Sequence, residues 1–357
     1  MRGTAGAVGN GGLVTPALLD LLRAPGSRDA VRLEGGADNG VLHAADGRTF
    51  QVRHGIPRFT EMEDAGQAQT RDSFGFKWAK QDTYDSPGSR DRMARWLVER
   101  YGFPSVDAWA GHFSGFSRVL DVGCGGGLSS GTWLVSPEWN GRAMWVGVDI
   151  STAVDVAQKR LGAIANTHFV QADALDLPFA DGTFDAVFSE GVLHHTPSTR
   201  AALLSAARVL APGGELAIYV YRKKGPAREF TDDYVREQLR GLSDEAAWDV
   251  MRGFTKLAQA LSAVNAEVVV TEAVPMLGIA AGKLPVQRFV YWNFAKLYWS
   301  DEMSFEENVH VNFDWYRPVY AHRQTEAELR AWCEEARVEI TRFNEQESGY
   351  TVVARKR

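Results

Sequence analysis

The chain has 357 residues, of which 45% are hydrophobic and 24% charged, and its formal net charge is −6. That length exceeds one average domain and allows a large core, while the acidic balance and the lack of any run of five basic residues argue against nucleic acid as a partner. The two cysteines, Cys124 and Cys333, exclude a disulfide scaffold and fit a reducing compartment.

The N-terminus is expected to be a flexible tail. Residues 1–12, MRGTAGAVGNGG, lack the apolar stretch of a signal peptide. The longest apolar stretch, residues 267–281, is interrupted by Glu272 and Pro275 and is too short to span a membrane. We therefore expect a cytoplasmic protein with no membrane partner.

Residues 13–60 consist of short apolar runs separated by turn signals such as Asn39-Gly40. This pattern predicts a small β-rich module with hairpins. The polar residues 61–72 that follow are interpreted as a linker.

Residues 73–221 alternate helical and strand-like patterns, which is typical of a parallel α/β sheet. The predicted strands are 117–122, 144–149, 167–170, 184–188 and 215–221.

From residue 222 the alternation stops, and residues 222–322 are mostly helical and rich in aromatic side chains. An insertion of this size late in an α/β domain indicates a functional lid. Residues 323–357 then supply a last helix and two strand-like runs, which are predicted to pair as an antiparallel hairpin and complete the core.

The densest glycine turn, SRVLDVGCGGGLSS, follows the strand that ends near Val122. The dinucleotide fingerprint G-x-G-x-x-G requires glycine at position 128, which is Leu128, and the third glycine is instead Gly127. A phosphate-binding P-loop is excluded because no Gly-Lys-Ser/Thr follows the turn.

This G-x-G-x-G turn after a strand-terminal acid resembles motif I of class I S-adenosylmethionine-dependent methyltransferases of the small-molecule type. The similarity continues through WVGVDIS, FVQADALDLPF, FDAVFSEGVLHHTP and ALLSAARVLAPGGELAIYVY, and covers residues 115–221. It implies a Rossmann-like, seven-stranded α/β sheet and S-adenosylmethionine as the cofactor. The cofactor-binding residues that it implies are Asp121, Gly123, Gly125, Asp149, Ile150, Asp173, Ala174, Ser189 and Glu190.

The charge of this cofactor fits the implied residues. It carries an ammonium and a sulfonium but no phosphate, so carboxylates near its amino group and ribose matter more than a phosphate cradle. The carboxylates of Asp121, Asp149 and Asp173 fall at the ends of predicted strands, where open α/β sheets bind ligands.

Methyl transfer from a sulfonium depends mainly on alignment and the exclusion of water. A general base is needed only when the acceptor is a hydroxyl or a protonated amine, and His194 and His195 are the candidate catalytic residues for that task. Glu190 is expected to position the cofactor or substrate rather than to act as a base. No metal site can be assembled from these motifs.

Three aromatic-rich segments are candidate substrate contacts. The first, RDSFGFKWAKQDTY, resembles the cap helix of these methyltransferases. Its rings at Phe76 and Trp78 either close over the cofactor or pack on the sheet. RFVYWNFAKLYW is predicted to be a helix buried on several sides, as the lid's core, a dimer surface or a pocket wall. HVNFDWYRPVYAHRQT either lines a pocket or forms a packed turn. The candidate substrate-binding residues are Phe76, Trp78, Trp292, Trp315, Tyr316 and His322.

The front module resembles the zinc-ribbon activator subunit of RNA and release-factor methyltransferases, through LLDLL, GRTFQV and GIP. The cysteine positions of that family correspond here to Ala24, Ser27, His43 and Asp46. Because two of these side chains are poor ligands, we expect a ribbon without zinc.

The sequence as a whole predicts an S-adenosylmethionine-dependent methyltransferase that acts on a small-molecule substrate. Because of the front module, an RNA methyltransferase is the alternative enzyme. A non-catalytic S-adenosylmethionine-binding subunit is the alternative from a different functional class. The methylated atom can be O, N or C, and a homodimer is a possible assembly.

Overall fold

A single large β-sheet organises the chain, and the computed structural model describes it in residues 13–60 and 64–357. The predicted N-terminal tail, residues 1–12, lies outside the described residues. None of the helices in the described ranges has the length and apolar character needed to cross a membrane.

The described residues form thirteen strands, eleven of which belong to the large sheet. In chain order they are β1 Val31–Gly35, β2 Gly40–Ala44, β3 Thr49–Arg53, β4 Ile56–Arg58, β5 Arg118–Val122, β6 Met144–Asp149, β7 Thr167–Gln171, β8 Phe184–Glu190, β9 Leu210–Tyr221, β10 Glu267–Val270, β11 Gly282–Pro285, β12 Val338–Glu345 and β13 Gly349–Lys356.

The helices are α1 Pro16–Leu19, α2 Ala65–Ala79, α3 Pro87–Tyr101, α4 Val106–Ser114, α5 Leu128–Leu134, α6 Ala153–Leu161, α7 Thr199–Val209, α8 Pro226–Leu239, α9 Asp244–Ala263, α10 Val286–Asn293, α11 Phe305–Tyr316 and α12 Glu326–Glu335. Short 3-10 turns lie at Gln81–Thr83, Ala174–Asp176, Leu193–His195 and Pro275–Leu277.

The sheet order is β1-β2-β3-β4-β7-β6-β5-β8-β9-β13-β12. The five strands predicted for the α/β region are confirmed as β5 to β9, and they pair in parallel. The predicted terminal hairpin is confirmed as β12 and β13, and β13 runs antiparallel to β9. Seven strands from residues 118–356 thus lie side by side, and the whole sheet has eleven rather than seven because the front module adds four.

The front module joins the sheet through β4, which pairs in parallel with β7. The Phe59 amide donates to the Gln171 carbonyl oxygen (2.7 Å), and the Arg58 guanidinium forms an ion pair with Asp155 on α6. Leu22 and Phe179 lie in the same buried cluster, so the module shares a hydrophobic core with the sheet.

The predicted linker is wrong from residue 64 onward, because helix α2 starts at Ala65. The Asp64 carboxylate caps this helix by accepting from the Gln67 amide at 2.6 Å, which satisfies a donor that helix formation leaves free. Residues 61–63 lie outside the described ranges.

Residues 222–322, called the insertion below, contain α8 to α11 and a two-stranded antiparallel sheet of β10 and β11 that the sequence pattern did not predict. The predicted helix over RFVYWNFAKLYW is shorter than expected, because α10 ends at Asn293. Trp248, Met251 and Phe313 form the buried core between α9 and α11, which also contains Tyr221 of the sheet.

Candidate functional site

A cavity of about 720 Å³ lies between the carboxyl ends of the parallel strands and the insertion. Small-molecule sites commonly have this size and this place in open α/β sheets. Eleven of the predicted site residues line it, namely Trp78, Gly123, Gly125, Asp149, Ile150, Asp173, Ala174, Glu190, His195, Trp292 and Trp315. Six do not, namely Phe76, Asp121, Ser189, His194, Tyr316 and His322.

The glycine turn forms part of the cavity wall beneath α2. Gly123 and Gly125 have positive φ angles of 80° and 53°, which side chains rarely tolerate. A Cβ on Gly123 would lie 2.3 Å from Val192, and one on Gly125 would lie 2.8 Å from the Trp78 ring. The turn therefore requires glycine both for its backbone and for the close approach of its neighbours.

Asp149, the last residue of β6, is fixed in orientation by three donors. The Gly125 amide donates to Oδ2 at 2.9 Å, while the amide and hydroxyl of Ser151 donate to Oδ1 at 2.8 and 2.6 Å. Burial raises the pKa of this carboxyl above its ordinary value, although these hydrogen bonds oppose the rise. A ligand with hydroxyls or positive charge would therefore meet an oriented, poorly solvated carboxyl group.

Asp173 follows β7 and begins the short turn at Ala174. Its Oδ1 accepts from the Leu175 amide at 2.9 Å, and its Oδ2 accepts from the Gln67 side chain at 2.7 Å. Burial raises its pKa as well. Gln67 lines the cavity from α2, in the stretch that the sequence pattern assigned to a linker.

Asp121 and Ser189 lie behind the cavity wall and not on its surface. The Asp121 carboxylate accepts from the Ser130 hydroxyl at 2.5 Å, and the Ser189 hydroxyl donates to the Val122 carbonyl oxygen at 2.8 Å. Burial is the largest cause that raises the pKa of Asp121 to about 7. These two side chains hold the glycine turn against the strands. They do not line the cavity, so the structure does not place them in direct contact with a cofactor.

Glu190, at the end of β8, is paired with a buried arginine from α3. Arg100 donates to one oxygen of Glu190, and the Tyr101 hydroxyl donates to the other at 2.7 Å. The Arg100 guanidinium lies between the rings of Trp96 and Tyr219, 3.8 and 3.6 Å from their centroids. Glu190 therefore faces the cavity as part of an ion pair.

Of the three candidate histidines, His195 alone lines the cavity. Its Nδ1 lies 2.7 Å from the Tyr320 carbonyl oxygen, and its buried Nε2 has no hydrogen-bond partner among the described residues. A carbonyl oxygen can only accept, so Nδ1 carries the proton and Nε2 presents a lone pair. Burial lowers the pKa of His195 to about 4, so the ring is neutral at pH 7.

His194 and His322 support this arrangement from outside the cavity. The His194 Nδ1 accepts from the Tyr221 amide at 3.3 Å, and the His194 ring packs 3.7 Å from the Tyr221 ring. The His322 amide donates to the His194 carbonyl oxygen at 2.9 Å. Burial lowers the pKa of both imidazoles.

A lysine and an aspartate connect α2 with α11 beside His195. Lys77 forms an ion pair with Asp314, and its ammonium lies 4.3 Å from the Trp78 ring centroid. Burial alone would raise the pKa of Asp314, but the charge and hydrogen bond of Lys77 lower it below its ordinary value. The carboxylate of Asp314 therefore stays ionised within the cavity.

The insertion supplies Trp292 and Trp315 to the cavity wall. The Trp315 indole donates to Asp232 Oδ2 at 2.8 Å, and the Tyr316 hydroxyl donates to Oδ1 at 2.9 Å. Phe76 points away from the cavity and packs against Trp248, with ring centroids 6.0 Å apart. Tyr316 thus supports the cavity wall through its hydrogen bond to Asp232, and Phe76 supports it through packing against Trp248.

The residues present fit S-adenosylmethionine. Two carboxyl groups with raised pKa values, Asp149 and Asp173, follow adjacent strands, and the glycine turn leaves a cradle that a Cβ would fill. Within residues 13–60 and 64–357, no group of three or more His, Cys, Asp or Glu side chains is arranged to hold a metal ion. In the front module, His43 pairs with Glu34 and Asp46 with Arg48.

Known proteins resemble the part of the chain that builds this cavity. Residues 120–218 match the family described as "Methyltransferase domain". The chain is 34% identical over 176 residues to the methyltransferase GfsG of Streptomyces halstedii, covering 48% of this chain and 52% of that protein. It is 36% identical over 178 residues to the fatty-acid O-methyltransferase of Mycolicibacterium smegmatis, covering 49% of this chain and 61% of that protein.

The matched region accounts for between half and two thirds of each of these curated relatives. A solved S-adenosylmethionine-dependent methyltransferase from Mesorhizobium loti aligns with a TM-score of 0.43 at 14% identity, covering 74% of this chain and 98% of that one.

Proposed function

We propose that this chain, in which residues 120–218 match a methyltransferase domain, transfers a methyl group from S-adenosylmethionine to a small-molecule acceptor. One observation carries the proposal. The glycine turn, Asp149, Asp173 and His195 all line one cavity, and aromatic residues of the insertion line it as well.

The sheet side of the cavity would hold the cofactor. When bound, S-adenosylmethionine supplies a methyl group on a positively charged sulfur, a good leaving group. Asp149 would accept from the ribose hydroxyls, and Asp173 with Ala174 would flank the adenine. Because Asp149 and Asp173 are buried, a cationic ligand that stabilises their charged forms gains more there than it would at the surface.

The insertion would act as a lid over the acceptor. Its rings at Tyr291, Trp292 and Trp315 line the cavity and exclude water, which favours displacement at a sulfonium carbon. Tyr291 and Trp315 also pack around the buried Arg228–Asp232 pair, which makes the wall rigid and well placed to align an acceptor.

His195 would remove the acceptor's proton when the acceptor is a hydroxyl or a protonated amine. The Tyr320 carbonyl oxygen keeps the proton on Nδ1, so Nε2 is ready to accept one without a change of tautomer. Asp314, which stays ionised beside it, would stabilise the imidazolium that forms.

Methyl transfer from S-adenosylmethionine with a tritiated methyl group tests this function. The purified chain is incubated with a small-molecule extract and, separately, with bulk RNA, and the Asp149→Ala variant serves as the matched control with a damaged donor site. We expect label in the small-molecule fraction that depends on Asp149. Label in RNA would favour the alternative enzyme, and cofactor binding without any transfer would favour a non-catalytic subunit.

A further inference from the structure

Three arginines line the cavity on its insertion side, Arg92 and Arg95 of α3 and Arg288 of α10. Arg92 lies next to Tyr298, and Arg288 next to Trp292. Arg92 and Arg95 share the carboxylate of Glu302, whose side chain is 69% exposed. The acids Asp149 and Asp173 lie on the sheet side instead.

Arg92 is poorly satisfied for a partly buried side chain. Its Nη1 donates to the Tyr298 hydroxyl at 3.2 Å, but its buried Nε and Nη2 have no hydrogen-bond partner within the part of the chain that the structure describes. Glu302 lies 3.6 Å from Nε and also 3.7 Å from a nitrogen of Arg95, so one carboxylate serves two arginines at distances too long for hydrogen bonds. Buried donors without partners are unfavourable, and such a pair of donors fits a ligand oxyanion.

Among the described residues, Arg288 is held by aromatic rings. Its guanidinium carbon lies 5.0 Å from the Tyr291 centroid and 5.3 Å from that of Trp292. Within residues 13–60 and 64–357, no carboxylate lies within 4.0 Å of its nitrogens. Tyr291 packs against Tyr298, the partner of Arg92, so both arginines border the same aromatic wall.

Four carboxylates outside the sheet side also line the cavity, those of Glu99, Glu307, Asp314 and Glu347. Asp314 is paired with Lys77, and Glu307 accepts from the hydroxyls of Ser86 and Ser89. Lys296 also lines the wall, where its ammonium donates to the Val311 carbonyl oxygen at 3.0 Å and lies 4.7 Å from the Trp315 ring centroid. Asp314 and Glu307 are therefore engaged by groups other than Arg92 and Arg288.

We propose that the acceptor carries an oxyanion, either a carboxylate or a phosphate, that Arg92 and Arg288 bind on the insertion side of the cavity. This inference rests on the proposed function and adds the chemical class of its substrate. The flat guanidinium groups suit both oxyanions, and the neighbouring rings suit an apolar or aromatic body attached to the charged group.

Calorimetric binding of matched probes tests this proposal in protein saturated with S-adenosylhomocysteine. The probes are phenylacetate, benzyl phosphate and the neutral phenethyl alcohol, which share a ring and differ in charge. We expect at least one anion to bind about tenfold more tightly than the alcohol. The Arg288→Gln variant should lose that preference and Arg288→Lys should keep most of it, while the exposed control Arg240→Gln should behave as the parent.

The two anions distinguish the source of the oxyanion, because a carboxylate site prefers phenylacetate and a phosphate site prefers benzyl phosphate. Equal binding of the alcohol and both anions would overturn the proposal. So would a loss of S-adenosylhomocysteine affinity of more than about tenfold in Arg288→Gln, because the arginines would then hold the carboxylate of the cofactor. Failure of the parent protein to bind S-adenosylhomocysteine would instead contradict the proposed function.

Discussion

The Nδ1 of His195 lies 2.7 Å from the carbonyl oxygen of Tyr320, and this contact fixes which nitrogen of the ring carries the proton. Tyr320 follows α11, whereas His195 follows β8, so the contact joins the end of the insertion to the sheet. The placement of the insertion and the orientation of the His195 ring are therefore coupled through one hydrogen bond.

Replacing His195 by Gln should lower turnover by roughly 100-fold if a proton must be removed from the acceptor, because a carboxamide is not a base. Affinity for S-adenosylhomocysteine should stay within a few-fold, since Asp149 and Asp173 are untouched. Steady-state kinetics and calorimetry measure the two effects, with His112→Gln on α4 as the control. Unchanged turnover would mean that the acceptor is already nucleophilic or that another base acts.

Replacing Asp149 by Ala should weaken S-adenosylhomocysteine binding by roughly 1 to 3 kcal/mol, the usual effect of removing a partner of buried hydroxyls. Calorimetry of the variant and of the exposed control Asp249→Ala gives the difference. NAD should not bind to the parent protein. An unaffected Asp149→Ala variant, or measurable NAD binding, would contradict the assignment of the donor site.

Replacing Asp232 by Asn should destabilise the insertion by about 3 to 5 kcal/mol, because the buried Arg228 guanidinium would lose its carboxylate. One of Trp315 and Tyr316 would also face an amide NH2 donor in place of its carboxylate acceptor. Thermal or urea unfolding measures the cost, and Asp233→Asn, an exposed neighbour on the same helix, should change stability by less than about 1 kcal/mol. Similar unfolding curves for the two variants would show that this pair does not hold the wall together.

Stability should depend on the titration of Asp121. Burial raises the pKa of this carboxyl to about 7 in the folded chain, above its unfolded value of about 4. The neutral form is thus favoured by folding, so its contribution is fully present below about pH 4 and is lost as the pH rises through about 7. The free energy of unfolding of Asp121→Asn should fall less than that of the parent across this interval in urea titrations. Parallel pH profiles would contradict the shift.

The parallel strands could be predicted because their signals are local. Each is a short, mostly apolar run, and the structure places β6 at Met144–Asp149, as predicted. The terminal hairpin has the same kind of signal, two strand-like runs separated by a short turn.

Tertiary contacts explain what the sequence pattern did not predict. Helix α2 is polar, and its role depends on Gln67 reaching Asp173 more than a hundred residues away. Arg100 likewise enters the site only through its pairing with Glu190. Asp121 has the expected place near the end of β5, but its side chain bonds to Ser130 and does not line the cavity, which local spacing does not reveal.

A crystal structure of the protein with S-adenosylhomocysteine is the most direct test of a cavity shared by cofactor and acceptor. We expect the adenine to lie beside Asp173 and Ala174, and the ribose hydroxyls to bind Asp149. The sulfur should face the His195 Nε2 and the Trp315 ring from within the cavity. A complex in which the sulfur faces bulk solvent, or in which the insertion and His195 lie apart from it, would contradict the proposed methyl transfer within this cavity.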